Sequence, residues 1–371
     1  MKEHITTHVG LDVHKNSTAI AVAERDSAAR FVGTVGPQLG ELRKVLAELD
    51  LAERMQIVYE AGPCGYGLVR ALRGDGYHCD VIAPAKVARR PGDRVKTDRR
   101  DALHLATQSR AGALTEVCVP EEADEAIRDL SRAREDAVRS RMKARQRLQA
   151  MLLRHGRRYS GKTRWTAAHE RYLAQLSFPY PAQHLAYVEY RQAVRESHER
   201  VERLTTALQE QVRYWRMQPV VRALMTLRGI DFIAAATLIA ELGDLRRFAH
   251  PRELMSFLGL VPSERTTGDH RRLGAITRTG NGYARRMLVE AAWNYRFPAR
   301  ISRALQARQE GQPTVVRDIA WQAQVRLSRR YRALKARQVI HNKICVAVAR
   351  ELAGFVWAIA QQVEPAVPSS A

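Results

Sequence analysis

The segment HVGLDVHKNSTAIAVAE, residues 8–24, decides how the amino-terminal part of this chain folds. Its two halves, 8–13 and 17–24, are short, apolar and rich in β-branched residues, and the polar tripeptide HKN separates them. This pattern predicts two β-strands joined by a tight connection. FVGTV at 31–35 predicts a third strand.

Helix and strand patterns alternate from there to about residue 118. GELRKVLAEL (40–49) keeps its apolar residues on one helical face, and MQIVYEA (55–61) has the composition of a buried strand. Residues 65–73 predict a helix, HCDVIAP (78–84) a further strand, and the segment after it a helix. This order is typical of an α/β layer architecture.

The rest of the chain predicts helices almost throughout. Long helices are expected over 121–155 and 183–216, and the second has a heptad-like apolar seam that suits an antiparallel hairpin or a dimer contact. The seam consists of Val194, Val201, Leu204, Leu208 and Trp215. Gly229 lies in a turn between two helices, which is either a helix-hairpin-helix with amides facing a phosphate or an ordinary helical corner. Residues 301–361 predict two more helices.

These patterns predict α/β plus all-α architecture in four segments. We expect an α/β domain over 1–118, a basic, coiled-coil-like helical region over 119–217, and a mainly helical domain over 218–361. Residues 362–371 are expected to be a disordered tail.

Four acidic residues lie in or next to predicted strands and helices at positions that suggest a binding partner or a catalytic role. Asp12 lies inside the first apolar strand and Glu60 near the end of another, and an unpaired buried charge is costly. Asp98 and Asp101 share one face at a helix start, where capping is the ordinary alternative for Asp98. Four oxygen ligands from separate elements can hold two Mg²⁺ ions for phosphodiester chemistry. Cations expected to meet DNA phosphates flank the acids: Lys15, Lys96, Arg99 and Arg100.

The motifs around these acids resemble a known family. GLDVHK (10–15), YEAGPCGYGL (59–68) and VKTDRRDALHLA (95–106) are similar to the DEDD-type transposases of the IS110 insertion-sequence family. The resemblance implies an RNase H-like, RuvC-like amino-terminal domain. Its four metal-binding acids would fall on Asp12, Glu60, Asp98 and Asp101.

A carboxy-terminal segment, MSFLGLVPSERTTGDHRRLGAITRTGNGYARRMLVEAAWNYR (255–296), resembles the transposase domain of the same family. There the family has a serine just before a glycine, implied to attack DNA and form a phosphoserine link. Here Thr267 precedes the glycine, and its β-methyl group crowds the hydroxyl. Thr267, Thr266 and Ser263 therefore all remain candidate nucleophiles. A decayed element and a Thr-Thr-Gly turn without chemistry are the alternatives.

The charge of the chain predicts a polyanionic partner. It has 61 Lys and Arg against 39 Asp and Glu, a net charge of +22, although codon bias in a GC-rich genome also enriches arginine. Sparse aromatic residues in the basic middle, Tyr159 and Trp165, favour backbone contact over base stacking. The residues expected to contact nucleic acid are Arg132, Arg139, Lys143, Arg147, Arg271, Arg272, Arg278, Arg285 and Arg286. The resemblance further implies a structured guide RNA, the bridge RNA of the element.

The sequence thus predicts a Mg²⁺-dependent DNA transposase or recombinase, guided by RNA, that moves an insertion sequence. A RuvC-like structure-selective nuclease without a covalent intermediate, and a non-catalytic nucleic-acid-binding protein, are the alternatives. We expect a homodimer or homotetramer, helped by the seam at 194–215. With no secretory signal, no apolar run long enough to span a membrane, and four scattered cysteines, a cytoplasmic, nucleoid-associated protein is expected.

Overall fold

The computed structural model describes residues 4–87, 97–267 and 270–366. The chain divides into two compact units, Met1–Pro120 and Glu121–Ala371. The predicted division of the second unit at residue 217 stays a prediction, and residues 367–371 of the predicted tail lie outside the described residues. No helix in the described ranges is both long and apolar enough to cross a membrane.

The first unit has the predicted order of elements. Along the chain they are β1 (Thr7–Val13), β2 (Thr18–Glu24), β3 (Arg30–Val35), α1 (Leu39–Leu49), β4 (Met55–Glu60), α2 (Gly67–Gly74), β5 (His78–Ile82) and α3 (Asp98–Arg110). The prediction of a mixed α/β amino-terminal sheet followed by many helices is therefore confirmed.

The described strands of this unit form one sheet in the order β3-β2-β1-β4-β5. β1 pairs antiparallel with β2 and parallel with β4, and β4 is parallel with β5. β1 is thus central, with both of its edges hydrogen-bonded.

The two faces of the sheet pack differently. One face carries branched apolar side chains, among them Val9, Leu11, Ile57 and Tyr59, which pack against α1 and α2. The other face is lined by alanines of β2, and α3 meets them with alanines of its own: Ala19, Ala21, Ala23, Ala102 and Ala106. Small side chains on both surfaces let the helix lie close to the sheet.

Gly10 is the point of closest approach. A β-carbon at this position would lie 2.3 Å from the Ala102 carbonyl oxygen and 2.4 Å from the Ala106 nitrogen. Only glycine leaves room for the α3 backbone here, so this residue sets the height of α3 above β1.

The second unit is mostly helical. Its elements are α4 (Glu122–Arg154), α5 (Ala167–Ala174), α6 (Pro181–Tyr214), α7 (Gln218–Leu224), α8 (Phe232–Leu242), α9 (Pro251–Phe257), β6 (Pro262–Thr267), β7 (His270–Ile276), α10 (Gly282–Ala292), α11 (Arg303–Gln309), α12 (Thr314–Ala336) and α13 (His341–Ala360). The described part of 301–361 contains three helices instead of the two predicted. The β6–β7 hairpin, within a segment expected to be helices and turns, was not predicted.

The long helices α4 and α6 form an antiparallel hairpin. Arg134 Nε donates to Thr205 Oγ1 at 2.7 Å, and Trp215 Nε1 near the end of α6 donates to Asp124 at the start of α4 at 2.7 Å. Most of the predicted seam, including Val194, Val201 and Leu208, is buried within the chain. The expectation that this seam supplies a subunit contact is therefore wrong, since α4 already covers it.

The turn around Gly229, between α7 and α8, faces the protein interior. A β-carbon on Gly229 would lie 2.5 Å from the Ala291 carbonyl oxygen of α10. Arg308 and Gln309 donate to the carbonyl oxygens of Ile230 and Thr226 on either side of the turn. Because this turn is packed against protein groups, an ordinary helical corner describes it better than a phosphate-binding helix-hairpin-helix.

Candidate functional site

Helix α3 runs antiparallel to β1 across the alanine-lined face. Ser109, near the end of the helix, contacts His8 near the start of the strand, with 3.0 Å between Oγ and Nδ1. Ala102 and Ala106 lie over Gly10 in the middle. The first turn of α3 therefore reaches the end of β1, where Asp12 lies.

An acidic cluster forms at this end of β1. His14 Nε2 is 3.3 Å from Asp12 Oδ2 and 3.5 Å from Asp98 Oδ1. Among the described residues, Asp12, His14 and Asp98 offer possible metal-ligating atoms that all lie within 4.8 Å of one another. Carboxylates from a strand and from a helix thus converge although 86 positions separate them in the sequence.

Asp98 is not the capping residue of its helix. Thr97 precedes the first helical residue, and its hydroxyl accepts from the Arg100 backbone amide. The capping role is thereby filled, and the Asp98 carboxylate points to His14 and Asp12 instead. Its side chain is 60% exposed, against 19% for Asp12, so the cluster has a solvent-facing and a shielded side.

Burial raises the pKa of Asp12 above its ordinary value. His14 opposes this shift, while the negative charges of Asp101 and Asp98 add to it. The carboxylate is therefore held among like charges in a partly desolvated place, which is unfavourable unless a cation shares the site.

The other two predicted acids are Asp101 and Glu60. Asp101 lies one turn after Asp98 on α3 and interacts electrostatically with Asp12. Glu60 ends β4, and the parallel register pairs Leu11 with Tyr59, one residue before Asp12 and Glu60 respectively. In-register neighbours point to the same side of a sheet, so Glu60 and Asp12 share the face that α3 covers.

His14 is the residue of this cluster that the sequence interpretation missed. It stands two positions after Asp12, just beyond β1, and this i, i+2 spacing in HVGLDVH was the available signal. Of the flanking cations, the Arg99 guanidinium lies 5.3 Å from the centroid of the Phe31 ring. Lys96 lies outside the described residues.

The candidate hydroxyls lie on the exposed β6–β7 hairpin. Thr266 Oγ1 donates to Glu264 Oε1 at 2.9 Å, and Arg271 binds the same carboxylate with two hydrogen bonds of 2.8 and 3.0 Å. Thr267 pairs with His270, and Arg265 pairs with Arg272. Since paired residues and residues two apart share a face, Thr267 lies with cationic neighbours, whereas Thr266 lies beside the acid.

Sequence comparisons relate this chain to a known family. Residues 221–306 match the family described as "Transposase IS116/IS110/IS902 family", and residues 9–156 match a DEDD-type IS110 domain described as "Transposase". The chain is 47% identical over 357 residues to "Putative transposase y4qE" of Sinorhizobium fredii, covering 95% of this chain and 88% of that protein. This chain belongs to the IS110 family of transposases. It is therefore an enzyme of DNA transposition.

Two further relatives are transposases of named elements. The transposase for insertion sequence element IS1533 of Leptospira borgpetersenii is 31% identical over 342 residues, which cover 89% of this chain and 97% of the relative. The transposase for insertion sequence element IS1328 of Yersinia enterocolitica is 26% identical over 314 residues, 78% and 84% of the two chains. The similarity thus spans both units of this transposase.

The predicted nucleic-acid contacts on α4 of this transposase differ in their surroundings. Arg132 binds the buried Glu241 carboxylate through two hydrogen bonds of 2.7 and 2.8 Å, and Arg139 lies 3.3 Å from Glu135. Lys143 and Arg147 are exposed. Arg132 and Arg139 are thus engaged with acids of the protein itself. Only Lys143 and Arg147, at the far end of the predicted stripe, form an exposed cationic surface. The contact of these residues with nucleic acid stays a prediction.

The carboxy-terminal arginines divide in the same way. Arg285 donates to the carbonyl oxygens of Leu258 and Thr279, and Arg286 pairs with Glu135 at 2.6 Å. Arg271 forms an ion pair with Glu264, while Arg272 and Arg278 are exposed. Counting arginines in the sequence therefore overstates the charge available to a ligand at this segment.

Proposed function

We propose that this transposase cuts and joins DNA strands with the help of Mg²⁺, two ions being held by Asp12, Glu60, Asp98 and Asp101. The single observation that carries the proposal is the convergence of Asp12, His14 and Asp98, from two separate elements, at the end of β1. Most exposed acids repel one another and stay apart, whereas these are drawn together by the packing of α3 on Gly10.

The residues present suit a divalent cation of the hard kind. Carboxylate oxygens are the ligands that Mg²⁺ prefers, and His14 adds a nitrogen at the same place. The like charges that raise the pKa of Asp12 would be compensated by bound cations. When bound, such ions would activate an attacking oxygen and stabilise the oxygen that leaves.

The side chains of the chain itself then have distinct tasks. Asp12, on the central strand, is the fixed member of the set, because both edges of β1 are paired. Asp98 and Asp101 take their positions from α3, and His14 Nε2 lies between Asp12 and Asp98, 3.3 Å from the first and 3.5 Å from the second. A rigid arrangement of this kind reduces the reorganisation needed during reaction.

Thr267 is the hydroxyl we favour as nucleophile. Thr266 donates to Glu264, whose pKa the Arg271 hydrogen bonds lower, so that this carboxylate is a weak base. Thr267 shares its face with Arg265, His270 and Arg272, where a phosphate would meet two guanidinium groups and no carboxylate of these pairs. In the proposed step Oγ1 loses its proton and bonds to phosphorus. The bond from phosphorus to one ester oxygen of the strand breaks, and that oxygen takes up a proton, so that no net proton is gained or lost.

Trapping the covalent product tests this assignment. The full-length protein is incubated with Mg²⁺ and labelled DNA carrying the ends of its own element, then run on a denaturing gel. We expect a protein–DNA adduct with the wild type and with Thr266→Val, and none with Thr267→Val. An adduct that disappears only in Ser263→Ala assigns the attack to Ser263. Cleavage without any adduct would instead favour a nuclease that uses water.

We also propose that a structured RNA guides the reaction. The net charge of +22 and the arginine-rich α4 support binding of a large polyanion. The experiment is purification of the protein from cells that carry the whole element, followed by sequencing of bound RNA. We expect enrichment of a transcript from the ends of the element, and recovery of only random cellular RNA would contradict the proposal.

A further inference from the structure

Two adjoining cavities follow one face of α4 within the second unit. The first, of about 370 Å³, lies between α4, α8 and α10, and the second, of about 290 Å³, lies between α4 and Trp165. Val138 and Arg141 line both of them, so the two form one continuous depression. We call it the α4 groove; its α4 wall consists of Ser131, Arg134, Val138, Arg141, Arg145 and Gln149.

Three arginines along this wall lack an acidic partner. None of the ion pairs formed by described residues involves Arg134, Arg141 or Arg145. Desolvation lowers the pKa of both Arg134 and Arg145, and the charge of Arg141 between them contributes to both shifts. The Arg145 Nε is buried without a hydrogen-bond acceptor in the described part of the chain. This row of cations is therefore electrostatically incomplete, and an anion would complete it.

The acids of the groove do not serve as that anion, because each already has a partner. The pairs are Glu241 with Arg132 and Asn281, Glu135 and Glu290 with Arg286, and Asp231 with the Ala234 amide. Glu135 and Asp231 still act electrostatically on Arg134, and Glu170 acts on Arg145, but none of these acids forms an ion pair with the row. The positive charge of the three arginines is thus only partly balanced within the described part of the chain, which favours an anionic ligand from outside.

An aromatic ring stands toward each end of the groove. The Arg145 guanidinium lies 4.6 Å from the centroid of the Trp165 ring. In the first cavity, Tyr283 of α10 has Arg132 and Arg139 at 5.7 and 5.3 Å from its ring centroid. Ring faces next to guanidinium groups are surfaces on which unpaired bases stack. Tyr283 follows Gln149, the last residue of this wall, by 134 positions in the sequence, so no local pattern could reveal it.

We propose that the α4 groove binds single-stranded nucleic acid, with phosphates along the three arginines and unpaired bases against Trp165 and Tyr283. A duplex keeps its base faces stacked inside, so it could not use the two rings or enter the cavities. Arg134 and Arg145 are eleven positions apart, which is about 17 Å along a helix. At about 3.4 Å per stacked nucleotide, that row accommodates roughly five nucleotides.

This inference deepens the nucleic-acid part of the proposed function and is independent of the acidic cluster. The strand could be RNA, as a segment of a guide, or DNA displaced during recombination, and the chemistry of recognition is shared. Either source differs from the simple backbone contact that the sequence favoured, because bases as well as phosphates are held.

Fluorescence anisotropy with the full-length protein provides the test. The probes are dye-labelled 12-nucleotide RNA and DNA single strands of one mixed sequence and the matching DNA duplex, titrated without divalent cation at several salt concentrations. The variants are Trp165→Leu, Tyr283→Leu and the double change Arg141→Gln with Arg145→Gln. The matched control is Arg200→Gln with Arg203→Gln on α6, where both residues are exposed. Circular dichroism checks that each variant is folded, and Trp165→Phe keeps a ring if Trp165→Leu fails that check.

The groove predicts a specific pattern of results. Each leucine variant should weaken single-strand binding at least about fivefold, the lower end for one stacked base, and leave the salt dependence unchanged. The double glutamine variant should reduce the slope of log K against log salt by about 1.4, because two phosphate contacts are lost. The control pair should bind the single strands like the wild type. Tighter binding of RNA assigns the groove to a guide, and tighter binding of DNA assigns it to a displaced strand.

Equal weakening in the control pair, or unchanged affinity in both leucine variants, would overturn the proposal. An Asp12→Ala protein tested in parallel should bind the single strands normally, since this residue lies outside the second unit. A wild-type protein that cleaves DNA but does not bind the single strands would therefore refute the groove alone. Loss of cleavage with intact single-strand binding in Asp12→Ala would concern the acids alone.

Discussion

The acidic cluster and the β6–β7 hairpin of this transposase differ in how much buried packing holds them in place. Asp12 lies on a central strand whose neighbours Val9 and Leu11 are fully buried, and α3 is fitted onto it at Gly10. The hairpin β6–β7 has exposed residues almost throughout, and three of its five cross-strand pairs join only polar residues. The comparison teaches that buried packing positions Asp12 before any ligand arrives, whereas no buried side chain of β6 or β7 fixes the hairpin. Under the proposed function, contacts with DNA would give the hairpin its position.

The largest effect is expected from removing the charge of the fixed acid. Asp12→Asn should lower DNA cleavage about a thousandfold or more, since metal stabilisation of a transition state is worth several kcal/mol and about 1.4 kcal/mol is a factor of ten. Thermal stability should not fall, because the amide removes first the desolvation cost of the partly buried carboxylate and then its repulsion from Asp101 and Asp98, which together outweigh the lost attraction of His14. The control is Asp26→Asn, an equal change of charge at an exposed turn. Full cleavage by Asp12→Asn would remove the cluster from the mechanism.

The second effect concerns the packing that holds the acids together. Gly10→Ala should destabilise the protein by about 1–3 kcal/mol and weaken binding of Mn²⁺, a spectroscopic substitute for Mg²⁺, because the new methyl group displaces α3. Gly33→Ala on β3 is the matched control, since a β-carbon there meets nothing within 4 Å. Denaturant unfolding and metal titration measure both quantities. Equal stability of the two variants would mean that α3 is less closely seated than described.

A smaller effect should follow pH through His8, at the opposite end of β1. Burial first, and then the charge of Arg110, lower the pKa of this imidazole. The folded state therefore holds fewer protons than the unfolded state below the ordinary histidine pKa of about 6.5, so His8 makes stability fall as pH drops through that value. His8→Gln should show a shallower loss of melting temperature between pH 8 and pH 5. Superimposable pH curves would contradict this assignment.

The smallest global effect is expected in the hairpin. Arg271→Gln removes both hydrogen bonds to Glu264 in a fully exposed pair, so the melting temperature should not change. Amide hydrogen exchange of β6 and β7 should nevertheless become faster, while β1 stays protected. A clear drop in melting temperature would show that the hairpin is part of the cooperative core, as β1 is, and that the two regions do not differ in this way.

Particular residues show how far the sequence could predict this structure. Asp12 and Glu60 are recognisable because the first interrupts an apolar strand and the second ends one. The hairpin at 262–276 was missed, since its strands are polar and neither face is buried. The sequence predicts nucleic-acid contacts at Arg132 and Arg286. It does not reveal their ion pairs, because the partners, Glu241 and Glu135, are remote in sequence.

The sequence by itself determined the alternation of strands and helices and the family, and it predicts the four acids, because these depend on local periodicity and on short motifs. Only the tertiary structure decided that Asp98 faces Asp12 through His14, that the seam of α6 is covered by α4, and which arginines are left without an acid. The physical reason is that hydrogen bonds, ion pairs and close packing act between atoms near in space, and folding brings together residues that the sequence keeps far apart.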